Sequence, residues 1–438
     1  MLKITLPTNF KNERSYISDV IFSDFLGVEF DLTFEEGIKS SLISINNKNL
    51  IIEDHFFNQF DEKTGYLHES NIPGNVSFFS HELMAENDLP VIFGEGEIVF
   101  NENEIICKAD LFASAFFMLT RWEETVIKTW DSHNRFPGTE SLAFRNNFLH
   151  RPVVNEYVEF LWNLLKKAGY DGERKLRRFN VIPTHDVDFF RKWPNFRHFA
   201  KTISGDIIKR KSFKLLFKNI SDYFNGRDPY LQFEKFMDLS EKYGLQSHFF
   251  FMAGGITSYD NHFSINDEEV KAMIGKIIQR GHSVGIHPSY DSYNNHKIFN
   301  SEKETLEAIT EKPVLKGRQH FLRYKLPETW QMWDDAGMLW DSGMYYTNEP
   351  GFRSGCCYEY PLFNVKSRQK LNLREKPLVF MEIAWIVDPA RDRNEIKDLI
   401  SKVKKYNGDF IMLWHNSNID HCNRELFDEV YEKIISEK

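Results

Sequence analysis

From residue 178 onward, short apolar runs alternate with amphipathic ones, and this alternation limits the folds open to the chain more than any other feature. "FNVIPTHDVD" (179–188) reads as a strand. The helix pattern "LQFEKFMDLSEKYG" precedes a second strand, "QSHFFFMAG" (246–254). "DEEVKAMIGKIIQRG" spaces its apolar residues three and four apart, as a helix does, and "HSVGIH" is the strand that follows. "VLKGRQH" comes after the helix around "EKETLEAITEK", and "GDFIMLWH" (408–415) is the last strand before a C-terminal helix. Such alternation predicts a parallel sheet or a (β/α) barrel, and the ~260 residues available suit a barrel of roughly 250.

The preceding residues read differently. Apolar runs such as "NLIIEDHFF", "LPVIFGEGEIVF" and "EIICKADLF" are interleaved with turn residues, then "ADLFASAFFMLTRWEE" has the apolar spacing of a helix. A second helix, "VVNEYVEFLWNLLKKAG", ends on Gly169, and the charged stretch "GYDGERKLRR" (169–178) is the expected boundary. The expectation is an N-terminal α+β domain over 1–170 and an α/β barrel over 178–438. Asp110, Arg121 and Arg135 are expected to hold the first against the second.

A net charge of −9 gives the molecule no field for nucleic acid. Four scattered cysteines, Cys107, Cys356, Cys357 and Cys422, form neither a disulfide framework nor a CxxC zinc pair, so reduced thiols are expected. The start, "MLKITLPTNFKNERSYISDVIF", has charges and a proline where a signal peptide needs an apolar run. No membrane-length apolar stretch occurs, and a cytoplasmic protein is expected. One segment departs from the overall charge: 191–227 holds ten lysines and arginines against Asp206 and Asp222. Its core, "DIIKRKSFKLLFKNISDYF", reads as one basic amphipathic helix. It is either a solvated helix packed on the barrel or a contact for an anionic membrane surface or lipid-linked glycan.

Parallel barrels place their chemistry at the C-terminal ends of strands. Asp186 and Asp188 are two apart, so an extended strand projects both carboxylates to one face and His185 to the other. One carboxylate can bind a metal while its neighbour takes a proton from water, although aspartates after strands also serve as helix caps. His287, His320 and His415 each end a separate predicted strand. Three histidines and an aspartate pair at strand ends predict one shared site.

On these motifs the stretch 178–438 resembles the polysaccharide deacetylase family, the NodB-homology domain of carbohydrate esterase family 4. "THDVD" stands where that family usually has TFDDG, "HFFFMAG" where it has its TFF strand, and "GHSVGIH" where it has GHEIGNH. "GRQHF" falls at its arginine motif and "LWH" at its closing Leu-x-His. Residues 1–170 resemble a companion domain of unknown function that precedes such deacetylases in Bacteroidetes-type proteins, through "ADLFASAFFMLTRWEE", "HNRF" and "RPVVNEY". "QHFLRYKLPETW" and "EPGFRSG" resemble the same two-domain subgroup.

The resemblance implies a metal-dependent hydrolase that removes N-acetyl groups from an amino-sugar-containing glycan or precursor. It puts the general base on Asp186, the arginine that orients it on Arg318, and the general acid on His415. Val187 occupies the usual place of the metal-binding aspartate, and Asp188 takes over. His287 matches the first metal histidine. The second, four residues on, is Asp291 here, so the third ligand is either Asp291 or His320, with His320 preferred because "RQH" sits at the expected barrel mouth. The ion is expected to be zinc, with cobalt or another first-row metal as alternatives. Trp385, Tyr345 and Tyr346 either stack on sugar rings or pack in the core. Alternatives are hydrolysis of a cyclic imide or ureide, and a catalytically silent glycan-binding protein without metal.

Overall fold

The computed structural model describes residues 1–260, 262–420 and 423–437. Cys107, Cys356 and Cys357 are free and buried, and Cys422 lies outside the described residues. Among the described residues no helix is long and apolar enough to cross a membrane.

The five predicted strands form and lie in one nine-stranded sheet. Asn180–Val187 pairs on one side with His248–Phe251, followed outward by Ser283–Ile286, Lys316–Gly317, Trp340–Asp341, Gln369–Glu375 and Tyr360–Asn364. On its other side lie Asp409–Leu413 and then Leu378–Met381. Every pairing is parallel except that of the last hairpin, Tyr360–Asn364 with Gln369–Glu375.

The barrel expectation is corrected in one respect: the sheet curls but stays open, because its edge strands do not pair among the described residues. One edge is the antiparallel hairpin, and N-terminal helices cover it. The Tyr16 hydroxyl donates to the Pro361 carbonyl (2.8 Å), and the Tyr360 hydroxyl donates to that of Leu119 (3.3 Å). Burying an edge under a helix removes the pairing template that barrel closure would otherwise remove. Four strands had no forecast. Trp340–Asp341 is too short to show a period of two, and "LVFM" (378–381), buried throughout, shows no alternation.

The basic segment is also corrected. Instead of one helix there is a hairpin of two, Phe196–Ile208 and Phe213–Phe224. Lys211 adopts a left-handed φ of 48°, and the Ser212 side chain accepts the Leu215 N–H to start the second helix.

The N-terminal residues form a six-stranded sheet ordered Phe30–Glu35, Leu2–Pro7, Ser40–Ile45, Lys48–Glu53, Glu104–Ala109, Gly94–Phe100. The helices Leu111–Thr120 and Val153–Lys167 fall inside the predicted stretches. Buried apolar side chains of both sheets belong to one contiguous cluster. Polar contacts cross as well: the Tyr346 hydroxyl accepts from Arg121 Nη2 (2.9 Å) and donates to Glu124 (3.0 Å), and Arg353 Nε donates to Glu124 (3.0 Å). Asp110 instead stays within its own region, capping the Leu111–Thr120 helix through the Ala113 N–H and accepting from the His55 and Phe56 amides.

Candidate functional site

The period-two geometry of Asn180–Val187 decides which groups enter the cleft. His185 points to the back of the sheet, where its ring stacks on Phe236 (3.9 Å) and Nδ1–H donates to the Trp414 carbonyl (2.9 Å). Asp186 points forward into a buried clamp. Arg318 Nη1 donates to Asp186 Oδ1 (2.7 Å), and the rest of the guanidinium is held by the Ser342 carbonyl (2.5 Å), Thr184 Oγ1 (2.9 Å) and Ser342 Oγ (3.1 Å). A guanidinium tied at four points cannot swing, so it fixes the carboxylate's plane.

Two neighbouring strands bring the histidines in. A Cβ on Gly317 would lie 2.2 Å from the Ile286 carbonyl oxygen, so only glycine lets Lys316–Gly317 approach Ser283–Ile286 this closely. That approach sets His287 and His320 beside Asp188, with Asp188 Oδ1 3.2 Å from His287 Nε2 and 3.7 Å from His320 Nε2. One ligand atom from each of the three lies within 4.8 Å of the others, a group that can hold a metal ion.

The surroundings fit such an ion. His287 Nδ1–H donates to the Arg318 carbonyl (2.7 Å), and His320 Nδ1–H donates to Asp260 Oδ1 (3.2 Å). Committing both Nδ1 protons leaves an Nε2 lone pair on each ring facing Asp188, the arrangement metal-bound histidines need. Asp260 is itself fixed by the Thr257 hydroxyl (2.6 Å) and the Tyr290 N–H (2.8 Å). Asp188 Oδ1 is buried and makes no properly directed hydrogen bond with a described residue. A buried carboxylate oxygen facing two imidazole nitrogens is a donor set with room for a cation.

On the far side of Asp188 stands His415, its Nε2 3.8 Å from Asp188 Oδ2. Glu382 Oε1 accepts from His415 Nδ1 (2.6 Å), from the His415 backbone N–H (2.9 Å) and from Asn418 Nδ2 (2.7 Å). Burial works to lower the His415 pKa, but Glu382 and then Asp188 and Asp186 outweigh it and raise it to about 10. Burial likewise opposes the charge on His287, yet Asp186 and Asp188 hold its pKa above the usual histidine range. For His320 burial prevails over Asp260 and lowers it. Burial pushes Asp188 up, while His287, His320 and His415 together bring it below the usual carboxylate range.

The structure thus gathers Asp186, Asp188, His287, His320, Arg318 and His415 into one place. Asp291 is not among them: its half-exposed side chain pairs with Arg323 (3.3 Å). Nor do Trp385, Tyr345 and Tyr346 line the cleft. Trp385 is buried, stacked on Phe380 (5.2 Å), with its indole N–H on the Asp392 carbonyl (3.3 Å). Tyr345 and Tyr346 are buried beside a separate cavity of about 110 Å³.

Glu382, Asp260 and Arg135 were not foreseen in these roles. Glu382 does follow a strand, the signal that singles out the other acids, but "LVFM" is apolar throughout and carries no alternation that marks it as one. Asp260 lies in the loop "GITSYD", where no spacing distinguishes it. The cleft, about 250 Å³, is walled by Met381, Ile383, Leu413, Phe321 and Leu322, and Arg135 of the N-terminal region stands at its edge. Arg135 is braced by Asp131 (2.7 Å), Thr347 Oγ1 (2.8 Å) and the Phe321 carbonyl (3.1 Å). Phe321 and Leu322 take left-handed φ values of 58° and 51°, a strained pair directly after His320.

Comparison with known proteins adds distant likenesses. Residues 2–170 match the model of a family of unknown function (DUF7033). No curated protein matches the chain. Among solved structures it is similar to a protein assigned as a polysaccharide deacetylase from Mycobacterium smegmatis, with TM-score 0.39 and 15% identity, over 60% of this chain and 84% of that one. It is similar to the catalytic domain of peptidoglycan N-acetylglucosamine deacetylase from Eubacterium rectale, with TM-score 0.28 and 13% identity, over 61% and 90% of the two chains. It is also similar to a CE4 family pseudoenzyme from Bacillus anthracis, with TM-score 0.28 and 12% identity, over 60% of this chain and 66% of that one.

Proposed function

We propose that this protein is a metal-dependent hydrolase that removes the N-acetyl group from an amino sugar within a glycan or glycan precursor, cleaving a non-peptide carbon–nitrogen bond. The observation that carries this reading is the pairing of an immobilised base with a charged acid across one cleft. Asp186 is locked by Arg318, His415 is held protonated by Glu382, and the group Asp188, His287 and His320 lies between them.

Those three residues would hold the ion, zinc or else cobalt or another first-row metal; when bound it would supply Lewis acidity toward the acyl oxygen and toward the oxygen of a water, making that water easier to deprotonate. Asp186 accepts the proton of the attacking water, its orientation preset by Arg318. His415 donates its Nε2 proton to the sugar nitrogen as the C–N bond breaks, leaving acetate and a free amine. Met381, Ile383 and Leu413 give the acetyl methyl an apolar wall, and Arg135 meets polar groups of the sugar at the edge.

Acetate release from N-acetylglucosamine oligomers by zinc-loaded protein tests the reading. Asp186→Asn and His415→Asn are each expected to lower the rate by about 10²–10⁴-fold. A metal-loaded, folded protein that releases no acetate from such oligomers would overturn it, and turnover of a cyclic imide under the same conditions would redirect it to ring-amide hydrolysis.

A further inference from the structure

We propose that the helical hairpin Phe196–Phe224 docks this protein on the surface of an anionic lipid bilayer. The hairpin's inner face is complete. Phe199 stacks on Tyr223 (3.8 Å), and the buried Asp206 accepts from Arg210 Nε (2.6 Å) and from Asn219 Nδ2 (2.7 Å). Its outer face is not covered. Phe196, Ile208, Phe213, Phe217 and Phe224 are 66, 72, 70, 68 and 75% exposed, and Ile207 is 51% exposed. On each helix these residues align: Phe213, Phe217 and Phe224 fall on one face, as do Phe196 and Ile207. Single exposed apolar side chains are ordinary, but two adjacent stripes of large ones mark an interaction surface.

Charge identifies the occupant. The segment 191–227 carries ten lysines and arginines against two aspartates in a chain of net charge −9. Arg197, Lys201, Lys209, Lys211, Lys214 and Lys218 are all exposed and have no ion pair among the described residues. Phenylalanines flanked by unpaired lysines are the composition of a helix lying in a headgroup layer, where rings enter the acyl boundary and ammonium groups meet lipid phosphates. A second copy of the chain in a two-fold dimer would bring the same cationic face against itself. Beside the hairpin is a cavity of about 620 Å³, wide enough for an anionic headgroup, lined by Lys201 and Lys209 and by Arg191, Lys192 and Arg210, which pair with Glu269, Asp420 and Asp206. Phe189, the residue after Asp188, lines the same cavity, so the docking face adjoins the strand end that carries the aspartates.

Vesicle flotation of the full chain tests this. The protein is expected to float with phosphatidylcholine vesicles containing about one-third phosphatidylglycerol, to stay behind with phosphatidylcholine alone, and to be released by high salt. Two variant sets, Phe213→Ser with Phe217→Ser and Phe224→Ser, and Lys201→Glu with Lys209→Glu, Lys214→Glu and Lys218→Glu, are each expected to weaken binding at least about tenfold with unchanged thermal unfolding. The proposal is overturned if wild type ignores anionic vesicles or if both folded variant sets float like wild type. It is equally overturned if light scattering without vesicles shows a dimer that the phenylalanine variants convert to monomer.

Discussion

The two faces of the nine-stranded sheet treat the same side chain in opposite ways. At the back, His185 is buried among rings, and burial lowers its pKa to about 3. At the front, His287 is buried and His415 mostly so, yet their pKa values rise. Desolvation is the largest influence in all three, so it does not separate them. The carboxylates do: Glu382, Asp186 and Asp188 stand only on the front. His320 lies between the two cases, close to one firmly bonded aspartate and beside His287, and its pKa falls. On one sheet, then, a ring among apolar neighbours is held neutral, while acids beside His415 favour its charge and those beside His287 favour a cation, whether a proton or a metal ion, at its Nε2.

The largest expected effect removes the front's anchor. Arg318→Met leaves Asp186, Thr184 and Ser342 without their buried partner, and urea unfolding should show a loss of about 3–5 kcal/mol. A loss under about 1 kcal/mol would mean that the clamp is not what orders the front face. Next is the back. The folded pKa of His185 lies below its unfolded value of 6.5, so the unfolded state takes up a proton that the folded state refuses. Stability then falls as pH drops below about 6.5, by roughly 1.4 kcal/mol per unit, until about pH 3. In His185→Phe this part of the slope should vanish, and an unchanged slope between pH 6.5 and 5 would contradict the assignment.

A smaller effect sharpens the front alone. Asp260→Asn should cost about 10–100-fold in zinc affinity, read by competition with a chelator, because the ring of His320 loses its orienting acceptor. The smallest concerns the rival ligand. His320→Ala should abolish stoichiometric metal, while Asp291→Ala should leave metal content intact and change stability by no more than about 0.5 kcal/mol. Metal lost with Asp291→Ala and kept with His320→Ala would return the third ligand to the loop after His287.

What the sequence made legible follows from how local each signal is. Asp186, Asp188, His287 and His415 sit at the ends of strands long enough to show a pattern, and strand ends are where parallel sheets gather polar groups. His320 required a guess between two spacings, because its strand, Lys316–Gly317, is two residues long. Asp260 and Glu382 act on histidines 60 and 33 residues away, a relation that no periodicity encodes. The aromatic residues Trp385, Tyr345 and Tyr346 were legible only as large rings. Whether a ring faces a sugar or a core depends on packing from distant segments, and here all three are buried. The break in the basic helix is silent in the sequence for a different reason: Lys211 has no special propensity for the left-handed region it occupies.

The edge hairpin, covered by the N-terminal helices, has a practical consequence. Residues 178–438 read in sequence as a separable α/β unit, and a cloner would naturally cut there. That fragment would bare Tyr360–Asn364 as an unprotected strand, an invitation to edge-to-edge aggregation, and its cleft would lack Arg135. Poor yield or a silent assay from such a truncation would then report on where the scissors fell, and any assay belongs on a chain that keeps residues 1–177 attached.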